Sequence, residues 1–113
     1  MTEAKRIILE MGTGNDLHGG DYTKAAKRAV QDALHHSSLS LFRSLNIDPD
    51  TMEIELRLAA QEPEKIDLAA VAATLPYGKV TPVAVKGGLD FPDGDSGRQS
   101  VIVNAGVIVR LRM

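Results

Sequence analysis

The chain has 113 residues, of which 43% are hydrophobic and 25% charged, with 10 Gly and 5 Pro. This composition excludes collagen-like, low-complexity and strongly disordered classes and predicts a single α+β domain over residues 1–113. Lys and Arg number 13 against 15 Asp and Glu, a formal net charge of -2, so no global positive field gathers a phosphate backbone and nucleic acid is not an expected partner.

Cysteine is absent, which removes disulfides, thiolate nucleophiles and sulfur-rich zinc sites together. No apolar run approaches the roughly 18 residues of a membrane span, and the opening residues lack a signal-peptide core. The expectation is a cytoplasmic protein with no membrane partner.

Arg6 to Met11 reads as a short strand, since Ile7, Leu9 and Met11 alternate with Ile8 and Glu10. Gly12, Gly14, Gly19 and Gly20 then punctuate MGTGNDLHGGD, a glycine-rich loop suited to tight turns or close backbone approach. A helix follows from Asp21 or Thr23, with Ala25, Ala26, Ala29, Val30, Ala33, Leu34 and Leu41 at helical spacings. Its small alanines imply a closely packed partner. NIDPD is a turn signal, after which Met52, Ile54, Leu56 and Leu58 alternate with Glu53, Glu55 and Arg57 as a strand covered on one face.

Pro63 or Asp67 opens a second helix, with Ile66, Ala69, Ala70 and Ala73 as its buried stripe and Pro76 and Gly78 as its stop. A third strand covers Val80 to Val85, where Pro82 implies an edge or a bulge. DFPDGDSGR, residues 90–98, reads as a mobile surface hairpin loop. The last strand, Ser100 to Arg112, places Val101, Val103, Ala105, Val107, Val109 and Leu111 on one face and Ile102, Asn104, Gly106, Ile108, Arg110 and Arg112 on the other. The order is β-α-β-α-β-β: a four-stranded mixed or antiparallel sheet with both helices on one face. Ile8, Ile102 and Ile108 would lie on the uncovered face, an apolar patch that predicts a homo-oligomer.

Polar residues concentrate in GTGNDLHGGDYTK. Asp16 and His18 are the catalytic candidates, either as an orienting carboxylate with a proton-transferring imidazole or as two ligands of a divalent metal. Asn15, Asp21, Lys24, Lys86 and Asn104 are the ligand-binding candidates: backbone N–H groups at the loop-to-helix junction and the two lysines suit an anion. Each has a plainer reading. Asn15 and Asp16 suit Asx turns, Asp21 an N-cap, the lysines solvation, and Asn104 a subunit-interface hydrogen bond. His35 and His36 suit a helix C-terminus, Tyr22 packing or an interface, and Tyr77 a turn anchor.

ILEMGTGNDLHGGDYTKAAKRAVQDAL, with KGGLD and VIVNAGVIV further on, resembles a conserved, uncharacterised family of small bacterial and plant-type proteins; GNDLHGGDYTKAA is the most specific part. The element order also resembles the small trimeric chorismate mutases. That resemblance implies a chorismate mutase-like fold and, as the preferred assembly, a homotrimer with clefts between neighbours.

The resulting expectation is a small oligomeric protein that binds an acidic or carbonyl-bearing small molecule near the glycine-rich loop, with proton-transfer or hydrolytic chemistry open to it. The alternative is a noncatalytic homo-oligomeric regulatory or interaction protein. Neither a metal nor an organic cofactor is specified by these residues.

Overall fold

The computed structural model describes residues 3–17, 19–35, 46–48, 51–75, 78–94 and 97–112; His18, His36, Leu41, Pro49, Pro76, Tyr77 and Ser96 lie outside them. The elements are β1 (Ala4–Asp16), α1 (Tyr22–His35), β2 (Glu53–Ala60), a 3-10 turn (Pro63–Lys65), α2 (Leu68–Ala72), β3 (Lys79–Lys86), β4 (Leu89–Asp93) and β5 (Arg98–Arg112).

The valine-rich β5 is the axis of the sheet. β1 runs antiparallel along one of its sides, from Asp16↔Val101 to Ala4↔Arg112. The other side is shared by β2, from Ala59↔Asn104 to Glu53↔Arg110, and by β4, from Leu89↔Ile102 to Asp93↔Arg98. β3 lies outside β2 and parallel to it. Pro82 is therefore on an edge strand, the place in a sheet where proline is tolerated.

The sheet has five strands, not the four expected, because part of DFPDGDSGR is β4 and the element order becomes β-α-β-α-β-β-β. Pro92 and Gly94 hide this strand in the sequence, yet Pro92 pairs opposite Gln99 on a strand that, among the described residues, pairs with β5 alone. β1 is also longer than the expected Arg6–Met11 segment and runs through Gly12 and Gly14 to Asp16.

Those two glycines do not make a loop. They lie on the helix-facing side of β1, buried against α1, and a Cβ on Gly12 would intrude on Ala29 O and Ala33 N, as one on Gly14 would on Ala25 O and Ala29 N. Glycines on the strand and alanines on the helix are thus the two halves of one close backbone approach. Ala25, Ala26, Ala29, Val30 and Ala33 all disappear into the core with the inward side chains of β2 and β5.

The 3-10 turn opens on Pro63 and α2 opens on Asp67, whose Oδ1 accepts the Ala70 N–H at 3.1 Å. Such a cap contributes about 1 kcal/mol. The buried side chains here are Ile66, Val71 and Leu75; Ala69 and Ala73 are exposed, contrary to the expected stripe. α2 is only five residues long, so an alanine periodicity extended across Ala73 does not describe it.

Both helices pack on the same side of the sheet, and among the described residues nothing covers the opposite side. A bulge at Ile7 shifts the register so that Ile8 opposes Val109 and packs against the core instead of joining the open face. At one end of that open face Arg110 pairs with Glu55 at 3.1 Å, Arg112 with Glu53 at 3.1 Å, and Arg57 with Glu55 at 2.9 Å. Towards the middle the face turns apolar, with Leu9 and Met11 exposed. Among the described residues no helix is long and apolar enough to cross a membrane.

Candidate functional site

At the end of β1 the chain turns into α1 around Asp16. This carboxylate is buried, its Oδ2 accepts the Asp21 N–H at 2.9 Å, and its Oδ1 stands 3.9 Å from Arg28 Nη1. Gly19 makes room for it: a Cβ there would lie 2.9 Å from Asp16 Oδ2. Asp21 in turn accepts the Lys24 N–H at 3.1 Å on its Oδ1, an N-cap bond to the first turn of α1. Ser100 ties the turn to β5 by donating its hydroxyl to Leu17 O at 2.9 Å.

The two carboxylates thus hold the turn in shape, and the cations beside them face an open cleft of about 670 Å³. Asn15, Asp16, Asp21 and Lys24 line it together with Arg28 and Arg98. Arg28 Nη1 donates to Asn15 O at 2.7 Å, which fixes its guanidinium along the cleft wall. Three cationic side chains from α1 and the start of β5 therefore share one cleft with the two carboxylates, at the end of α1 where the helix dipole favours negative charge. Arg28 lies one helical turn after Lys24, a spacing that sets the two on one face of α1. Arg98 carries no such sequence signal, because it reaches the cleft through the β1–β5 pairing.

The other candidates are elsewhere. Asn104 projects from β5 onto the open sheet face, where its Nδ2 donates to Thr13 Oγ1 at 3.0 Å. Lys86 ends β3, just before the tight turn at Gly88 (φ 63°), and its charge acts on Glu62. Among the described residues no three His, Asp or Glu side chains gather as a metal-holding group.

A second polar cluster has no counterpart in the sequence reading. The Tyr22 hydroxyl, buried at the start of α1, donates to Asp90 Oδ2 on β4 and contacts Glu62 Oε2 at 3.0 Å. Burial and then the hydrogen bonds to Asp90 and Glu62 raise the phenol far above its ordinary pKa, so it stays protonated. Glu62 is held below the usual carboxylate range by hydrogen bonds from Lys65 and then from Tyr22. Asp90 Oδ1 is buried and, among the described residues, has no hydrogen-bond partner. The cluster straps α1, the β2–α2 connection and β4 to one another.

A family model described as "Conserved hypothetical protein (Lin0512_fam)" matches residues 6–109. The chain belongs to this family. Among solved structures, this Lin0512 chain is similar to an FtsZ-like protein of unknown function from Nostoc punctiforme PCC 73102, at 32% sequence identity and a TM-score of 0.85, with 100% of each chain covered. No curated protein matches it.

The expected chorismate mutase-like fold is corrected by these findings. A five-stranded sheet and likeness to the FtsZ-like protein replace it, and the homotrimer implied by that resemblance goes with it.

Proposed function

We propose that the protein binds a small acidic or carbonyl-bearing molecule in the cleft between β1 and α1. The observation that carries this reading is that Lys24, Arg28 and Arg98 all line one opening of ligand size, three cations against the two carboxylates Asp16 and Asp21. Lys24 and Arg98 contact the anionic group, Arg28 forms the wall between them, and Asp16 and Asp21 act as positioning residues that hold the turn. Proton transfer on a bound carbonyl compound falls to His18 in this reading, two residues beyond Asp16.

Citrate and inorganic phosphate serve as probes, with binding to the full chain followed by calorimetry. Lys24→Met and Arg98→Met should each weaken binding of the better probe about tenfold, the scale of one charge-assisted hydrogen bond. Their melting temperatures should stay close to that of the unsubstituted protein. Unchanged affinity in the double variant would sink the reading.

A second reading, a noncatalytic homo-oligomeric interaction protein, draws on the β4 end of the open sheet face. Leu89 and Phe91 are exposed there, 52% and 66%, beside Ile102. Light scattering over a range of concentrations tests it: a monomer throughout removes this reading and leaves the cleft untouched.

A further inference from the structure

Gly106 sits in the interior of β5, opposite Met11 of β1 on one side and Arg57 of β2 on the other. It differs from the glycines that the fold needs. Its φ is not positive, and a Cβ built on it meets nothing within 4 Å, whereas Gly12 and Gly14 have α1 against them. A glycine inside a strand sacrifices stability and side-chain packing, and it often marks the close approach of something from outside. Here no backbone geometry and no neighbour requires it.

Gly106 lines a basin of about 600 Å³ in the open face, a volume typical of small-molecule sites. Leu9, Met11 and Ile108 form its apolar wall, and Arg6 and Arg57 stand on its lining. Asp32, a carboxylate of the same lining, accepts the Thr13 N–H at 2.9 Å, and Asn104 is oriented by Thr13. Arg6 and Arg57 against Asp32 leave the lining one positive charge, with Arg57 steadied by its pair to Glu55 at 2.9 Å. We propose that this basin is a second binding site whose ligand is an amphipathic organic anion: an apolar chain or ring lying over Gly106, with a carboxylate or sulfonate directed at Arg6 and Arg57. Its demand for an apolar body separates it from the β1–α1 cleft.

Anilinonaphthalene sulfonate, followed by fluorescence on the full chain, is the probe, with decanoate and citrate as competitors. The expected result is saturable binding of one probe per chain, displaced by decanoate and not by citrate. Gly106→Leu fills the basin and should weaken the probe about tenfold, with the circular dichroism and melting temperature retained. Should Gly106→Leu fail to fold, Leu9→Glu, which sets a carboxylate in the exposed wall, should produce the same loss. Three outcomes overturn the proposal: no saturable binding, full binding by a folded variant, or a wild-type dimer that Gly106→Leu splits, which would make the basin a contact between copies. Citrate binding at the cleft, measured on the same variants, keeps this failure distinct from failure of the first site.

Discussion

Gly14→Val is expected to unfold most of the protein at room temperature or to leave it barely stable. Even a Cβ at this position would intrude on Ala25 O and Ala29 N, which are helix backbone and cannot swing aside as a side chain can. To make room α1 must lift, and Ala25, Ala26, Ala29, Val30 and Ala33, all fully buried, lift with it. Overpacking alone costs roughly 1–3 kcal/mol where side chains can adjust, so a cost of about 4 kcal/mol is expected where a helix has to move. Against the roughly 5–15 kcal/mol that holds a typical domain together, this is a large share. Urea denaturation followed by circular dichroism measures it, with Gly106→Val as the control on the opposite face. That control should hold or modestly raise the midpoint, because its Cβ meets nothing within 4 Å and valine suits a strand better than glycine. A Gly14→Val protein with the parental midpoint would show that the close approach of β1 and α1 is not a constraint.

Tyr22→Phe is the other substitution with a large expected effect, about 2–3 kcal/mol from loss of a donor shared by two carboxylates. It leaves Asp90 Oδ2 without its phenol, beside an Oδ1 that already has no partner among the described residues, and brings Glu62 and Asp90 together without the proton between them.

The effect should depend on pH at both extremes. The folded phenol titrates higher than the unfolded one, so its contribution is complete below about pH 10 and fades as the pH rises further, through the folded value. Glu62 titrates lower when folded, so its contribution is complete above about pH 4.5 and fades as the pH falls through the folded value. Urea midpoints of the parent and Tyr22→Phe should differ most near neutrality and converge in acid and in strong alkali. A difference independent of pH would show that the substitution acts through packing alone.

Alternation was readable in the sequence wherever side chains were large. Met52, Ile54, Leu56 and Leu58 on β2, and the valine face of β5, are buried as their period of two predicts. Alternation gives no signal where the side chain disappears. Gly12 and Gly14 carry no hydrophobic signal, so half of β1 passed for a loop although its inward face is as buried as any in the sheet. β4 was lost to Pro92 and Gly94, because local turn signals do not reveal that a partner strand stands ready to pair. In the cleft, Asn15, Asp16, Asp21 and Lys24 were legible as neighbours in sequence, whereas Arg98 and the Tyr22–Asp90 bond depend on contacts across most of the chain.

The central place of β5 bears on how the chain acquires its structure during synthesis. β1, β2 and β4 all hydrogen-bond to β5, and among the described residues only the β2–β3 pair is independent of it. On the ribosome α1 and the β2–β3 unit can therefore form early, but β1 must wait beside a helix with no strand to receive it until β5 has emerged. Folding should then be a late, concerted event, and a chain arrested before Val101 should remain open to proteases along β1.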